Sequence, residues 1–144
     1  MSWAILDTNV YLGHWELGLY ASEIAIARRK FVIRHSAVVL SELRRGARTR
    51  DALTLVEGLY KLAHVQWEPV AYDWWQAGRL IREIGDDQTW DKNKRRDFQN
   101  DALIGLTARR HGATVVTANR NDFELLAREL DLRILVVGKS DKRG

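Results

Sequence analysis

The sequence predicts an α/β fold, a three-layer α/β/α sandwich around a mainly parallel central sheet, and two observations lead there. Short apolar or β-branched runs recur along the chain, WAIL at 3–6, FVIR at 31–34, ATVVT at 113–117 and LRILVV at 132–137. Longer stretches with helical periodicity separate them. Strands that alternate with helices form a parallel sheet covered on both faces, because each crossover lays a helix back over the sheet.

The elements follow in order. Trp3 to Leu6 is a short apolar strand, and the next segment places Tyr11, Leu12 and Trp15 on one side of a helix. The helix-forming run ASEIAIARRK leads into FVIR, the second strand. In SAVVLSELRRGA, Ser36 is placed to cap a helix and Gly46 to end it. Helices are expected over about 50–63, 71–85 and 94–111, the first two separated by the single proline, Pro69. A strand over 113–117, a helix over 121–130 and a strand from Leu132 to Val137 complete the pattern.

Composition narrows the possibilities. A chain of 144 residues with 46% hydrophobic content buries roughly two-thirds of its unfolded surface, enough for one core. One domain over 1–138 is expected, followed by a short basic tail at 139–144. The chain contains no cysteine, which excludes disulfides, thiolate nucleophiles and thiolate metal sites. The start, MSWAILDTNVYL, lacks a basic leader, and no apolar stretch approaches ~20 residues. A cytoplasmic protein without a membrane anchor is therefore expected. The net charge is +4, with basic residues gathered at 27–30, 43–50 and 91–98. Such clusters suit a phosphate-binding surface, and equally a solvated helix face.

Several acids stand where carboxylates are costly. In sheets of this kind the chemistry lies beyond the carboxyl ends of the strands, where Asp7 and Asp122 are placed. Each also has an ordinary reading: Asp7 as cap of the following helix, and Asn121 or Asp122 as cap of helix 121–130, with Glu124 completing a capping box from Asn121. Asp101 shares a helical face with Ile104, Gly105 and Ala108, and Glu42 shares one with Val38 and Val39. A salt bridge to an arginine, or a local cap at Asn100 or Asp101, would account for them singly. One common cause accounts for all four: a cluster of carboxylates around a hard cation, for which oxygen ligands suit Mg²⁺ or Mn²⁺. The histidines His14, His35, His64 and His111 show no paired helical spacing, which argues against zinc.

The ordered set LDTNV (6–10), SAVVLSEL (36–43) and NDALIGLTARRHGATVVTANRNDF (100–123) resembles the PIN-domain nucleases, in particular the small toxin subunits of the VapC type. The likeness runs over nearly the whole chain, although about 50–95 resembles the family only in helical layout. Residue by residue, Asp7, Glu42, Asp101 and Asp122 match the family's acidic quartet, and Thr117 and Asn119 match the T-x-N that supports it. Thr8 and Asn9 match the small polar residues after the first acid, whereas Asp97 has no counterpart in the pattern. The resemblance implies an endoribonuclease in which water activated by carboxylate-bound Mg²⁺ or Mn²⁺ hydrolyses RNA phosphodiester bonds. The quartet would ligate metal, and Thr117 and Asn119 would orient it. Arg44, Arg45, Arg48, Lys92, Lys94, Arg95 and Arg96 would flank the pocket and hold the RNA backbone. The family likeness also implies a homodimer and a cognate antitoxin protein that covers the acidic groove. The alternative is a catalytically degenerate PIN fold that binds RNA or serves as a scaffold.

The chain has six tryptophans. Trp74 and Trp75 point about 100° apart on a helix, so one core struggles to bury both, and a protein interface competes with one buried and one exposed ring. Trp90 is a lesser candidate for base stacking.

Overall fold

The computed structural model describes residues 2–138, so the basic tail expected at 139–144 lies outside the described residues. Five strands, β1 (Trp3–Leu6), β2 (Val32–Ser36), β3 (Gln66–Trp67), β4 (Thr114–Thr117) and β5 (Arg133–Val136), form one sheet in the order β3-β2-β1-β4-β5. Every pairing is parallel, with Ile5 opposite Arg34 on one side and Val115 on the other. Around it lie α1 (Thr8–Leu17), α2 (Ala21–Lys30), α3 (Ala37–Gly46), α4 (Arg50–Leu62), α5 (Ala71–Gln88), α6 (Lys92–Arg110) and α7 (Arg120–Glu129). This is an α/β fold with a wholly parallel sheet.

Central strands of such a sheet meet helices on both faces and therefore read as continuous apolar runs. Ala4, Ile5 and Leu6 of β1 and Val115 and Val116 of β4 are buried accordingly. Phe98, Leu103 and Ile104 of α6, Phe123 and Leu126 of α7, and Leu80 of α5 fill the space against them. The edges are short: β5 has four residues, of which Arg133 and Leu135 are exposed, and β3 has two.

Caps set the helix boundaries. Ser36 Oγ accepts from Val39 N at 3.2 Å, and α3 ends at Gly46. Gly18 closes α1 at φ 69°, a left-handed turn that glycine adopts without a Cβ clash. Buried Asp73 accepts from Val70 N at 3.0 Å at the start of α5 and pairs with Arg110 at the end of α6, also at 3.0 Å. That ion pair ties together the two ends of the α5–α6 hairpin.

Three expectations are corrected. The two-residue strand β3 has no counterpart in the sequence reading, since two residues cannot display a period. Helix α6 begins at Lys92, so Asn100 and Asp101 lie in its interior and cannot be caps. The cap of α7 is Asn119, whose Oδ1 accepts from Asp122 N at 3.3 Å; neither Asn121 nor Asp122 fills that role. Glu124 forms no capping box and pairs with Arg120 at 3.0 Å.

Candidate active site

The strand order reverses between β1 and β4, because successive crossovers run one way through β2 and β3 and the other way to β5. Such a switch point opens a crevice beyond the strand carboxyl ends. Asp7 leaves β1 there and Thr117 ends β4 beside it. Helix α6 passes with Asp101 in its interior, α3 brings Glu42, and the first turn of α7 brings Asp122.

Each carboxylate is held by named donors. Asp7, almost fully buried, caps α1 by accepting from Thr8 N at 2.8 Å and also accepts from Thr117 Oγ1 at 2.7 Å. Its cap and its place in the pocket are thus the same geometry. Thr8 Oγ1 donates to one oxygen of Glu42, and Asn100 Nδ2 donates to the other at 3.0 Å. Asn119 Nδ2 bridges Asp101 at 3.3 Å and Asp122 at 3.1 Å. Thr117 Oγ1 accepts from Asn119 N at 2.9 Å, and Asn9 Oδ1 accepts from Ala118 N at 3.0 Å, which fixes the turn after β4. Lys94 Nζ reaches both oxygens of Asp122, at 2.9 and 2.7 Å.

The electrostatics follow from this crowding. Burial raises the Asp7 carboxyl to about 6, with the charge of Glu42 adding to the rise and the bonds from Thr117 and Thr8 opposing it. Burial, followed by the charges of Asp7, Asp122 and Glu42, pushes Asp101 up to about 8. Asp101 therefore holds its proton more tightly than a free aspartate does. The donor set is all hard oxygen, and its excess negative charge is offset by that proton and by the Lys94 ammonium. This is the chemistry that a divalent cation would satisfy. Among the described residues, however, no three acidic or imidazole groups yet stand as a ligating set. The side chains explain this, since Glu42 and Asp7 are bound to donors of the chain and Asp122 is turned toward Lys94. The residues fit a divalent ion in the chemistry of their oxygen ligands and in the crevice that they share.

The basic residues divide. Arg44, Arg45, Arg48, Lys92 and Arg96 are exposed. Lys94 and Arg95, expected with them as phosphate contacts, have partners within the chain. The Arg95 guanidinium bonds Trp90 O and Asp86, both at 3.0 Å, and lies where a Cβ on Gly85 would meet it at 2.9 Å. Trp90 packs on Phe98 at 4.8 Å and beneath Lys94, while Trp74 and Trp75 are both exposed. Asn100, read before only as a local cap, and Lys94 are the site neighbours that the sequence reading assigned elsewhere. The signal was present for Lys94: it precedes Asp101 by two helical turns and so shares its face.

Comparison with known proteins gives consistent results. The PIN domain family profile matches residues 4–129. In sequence the chain matches no curated protein. Among solved structures it resembles VapBC2 from Rickettsia felis bound to a DNA fragment from their promoter, with a TM-score of 0.68 and 20% identity over 94% of this chain and 99% of that one. VapBC-1 from nontypeable Haemophilus influenzae gives 0.68 and 19% over 93% and 97%. DNA-bound VapBC from Salmonella typhimurium gives 0.66 and 23% over 94% and 98%. At these identities the likeness is one of fold.

Proposed function

The chain belongs to the PIN domain family, and from that premise we propose that it is a metal-dependent endoribonuclease, the VapC-type toxin of a toxin–antitoxin pair. One observation carries the reading: Asn119 bridges Asp101 and Asp122, and Thr8 links Asp7 to Glu42, so that the four acids of the pattern share the crevice at the switch point of the sheet. A divalent ion held there would activate water and offset charge on the phosphate and the leaving oxygen. Asp7, Glu42, Asp101 and Asp122 would supply its oxygen ligands. Thr117 and Asn119 orient them, Thr8 and Asn100 fix Glu42, and exposed Arg44, Arg45, Arg48, Lys92 and Arg96 line the approach for an RNA backbone.

The partners follow the same reading. Helix α4 buries only Val56, and its exposed Leu55 and Leu62, seven residues apart on one side, line with Tyr11, Trp15, Ile24 and Leu59 an apolar groove that suits a cognate antitoxin. Exposed Tyr72, Trp74 and Trp75 on α5 suit a second copy of the chain. No helix of the described residues is long and apolar enough to cross a membrane, in keeping with action on cytoplasmic RNA.

Sequencing of RNA ends after induced expression tests the activity against an Asp7→Asn control. Wild type should produce new 5′ ends that the variant lacks; identical profiles would remove the ribonuclease reading. A second reading, a degenerate PIN fold that binds RNA without cutting it, is favoured by one observation, the Lys94 ammonium on Asp122. A Mn²⁺ titration of thermal stability separates the two, since a working site gains stability by mass action.

A further inference from the structure

A lysine inside an acidic pocket is a cation that the chain itself supplies. Lys94 sits in the first turn of α6, where Asp91 caps its backbone N–H at 2.8 Å. Its ammonium grips both oxygens of Asp122 and stands 5.0 Å from the centroid of the Trp90 ring. The pair is lopsided. The Asp122 side chain is 10% exposed and held by Asn119, whereas the Lys94 side chain is 38% exposed on a flexible stem. A polar cleft of about 400 Å³ adjoins them, lined by Trp90, Lys94, Asn121, Asp122, Glu124 and Arg128 among others. The stem has room to retract there without leaving the face of Trp90.

We propose that Lys94 is a displaceable counter-cation: it neutralises Asp122 in the metal-free protein, and a divalent ion loads the pocket by driving its ammonium into the adjoining cleft. Both oxygens of Asp122 are engaged by Lys94, so an incoming ion must take at least one of them from it. An ammonium left within a few ångströms of a dication would be strongly repelled. The trapped alternative, rotation of Asp122 itself, is opposed by the Asn119 bridge and by burial. Lys94 thereby sets the metal concentration at which the pocket fills, and below it offsets the charge of Asp122. The inference rests on the metal-dependent reading above.

The test is Mn²⁺ binding to the whole protein by calorimetry, with wild type beside Lys94→Met, a neutral side chain of similar length. Removing the competitor should tighten Mn²⁺ binding by about tenfold, the equivalent of roughly 1.4 kcal/mol, while lowering the melting temperature in EDTA. Equal or weaker Mn²⁺ binding by the variant would make Lys94 a fixed structural partner and overturn the inference. A measurement on wild type guards against a variant that folds poorly. In Mg²⁺ titrations followed by ¹H–¹³C NMR of the lysine ε-methylenes, the Lys94 signal should move toward that of a solvated lysine as the site fills. A signal that stays fixed while Mg²⁺ binds also overturns it. If neither protein takes up Mn²⁺, the metal-dependent reading itself falls, an outcome distinct from equal binding by both.

Discussion

The charge held by Asp101 makes a stability prediction with a definite sign. Burial and the charges of Asp7, Asp122 and Glu42 disfavour ionisation and push its folded carboxyl up to about 8, from the ordinary 3.8. The native state therefore binds more protons than the unfolded chain between these values, and stability falls as pH rises through that window. The contribution is fully present below about 4 and is lost by about 8. Asp101→Asn removes the titration and keeps an oxygen that accepts from Asn119. In EDTA the variant should match wild type near pH 4 and exceed it at pH 8. The full shift sets an upper bound of about 6 kcal/mol. Coupled charges share their protons, so a gain of about 1 to 3 kcal/mol is the working figure. For a chain of this length that is roughly 3 to 10 °C in Tm. Thermal melts at several pH values in EDTA, repeated with Mn²⁺, provide the assay. With metal the order should reverse, because the carboxylate then has a cation to bind. A variant that melts lower than wild type at every pH, yet keeps its Mn²⁺ response, would make Asp101 a structural residue and refute the argument.

Other substitutions test separate parts of the structure. Thr117→Val removes the hydroxyl that donates to buried Asp7 and accepts from Asn119 N; a loss of about 1 to 3 kcal/mol in denaturant melts is expected, together with a further rise of the Asp7 carboxyl, read by ¹³C NMR. Arg110→Met strands the buried Asp73 carboxylate at the base of the α5–α6 hairpin, and should cost about 3 kcal/mol while leaving Mn²⁺ affinity unchanged. Replacing Arg44, Arg45 and Arg48 by Ala should weaken RNA binding and flatten its dependence on salt without changing metal affinity; an unchanged slope in filter binding would assign them to a solvated face.

How far the sequence discloses this molecule depends on what each signal requires. Periodicity over ten or more residues is enough to place the long helices, and continuous β-branched runs mark β1 and β4 because both faces of those strands are covered. Two-residue β3 carries no period; it is a strand because Gln66 and Trp67 pair with His35 and Ser36, and Trp67 is buried by stacking on His111 at 3.9 Å and against Trp3. Those contacts exist only after folding. The acids were legible as misplaced charges, polar residues on apolar faces or just past strands. Their companions were harder to read, since Asn100 and Lys94 look like ordinary helix surface residues.

The case of Lys94 shows why that line falls where it does. A linear sequence shows which residues a helix places on one face, and so aligns Lys94 with Asp101. It does not show that α7 delivers Asp122 to the same face from the next crossover. Without that carboxylate, Lys94 belongs naturally with Lys92, Arg95 and Arg96 as one basic run. With it, the run separates into Arg95 folded into the α5–α6 turn, Lys94 turned to the pocket, Arg96 exposed beside Asp97 at 3.6 Å, and Lys92 left to solvent. Net charge along a sequence therefore overstates the cation available to an RNA backbone, because three of the four charges already have carboxylate partners within the chain.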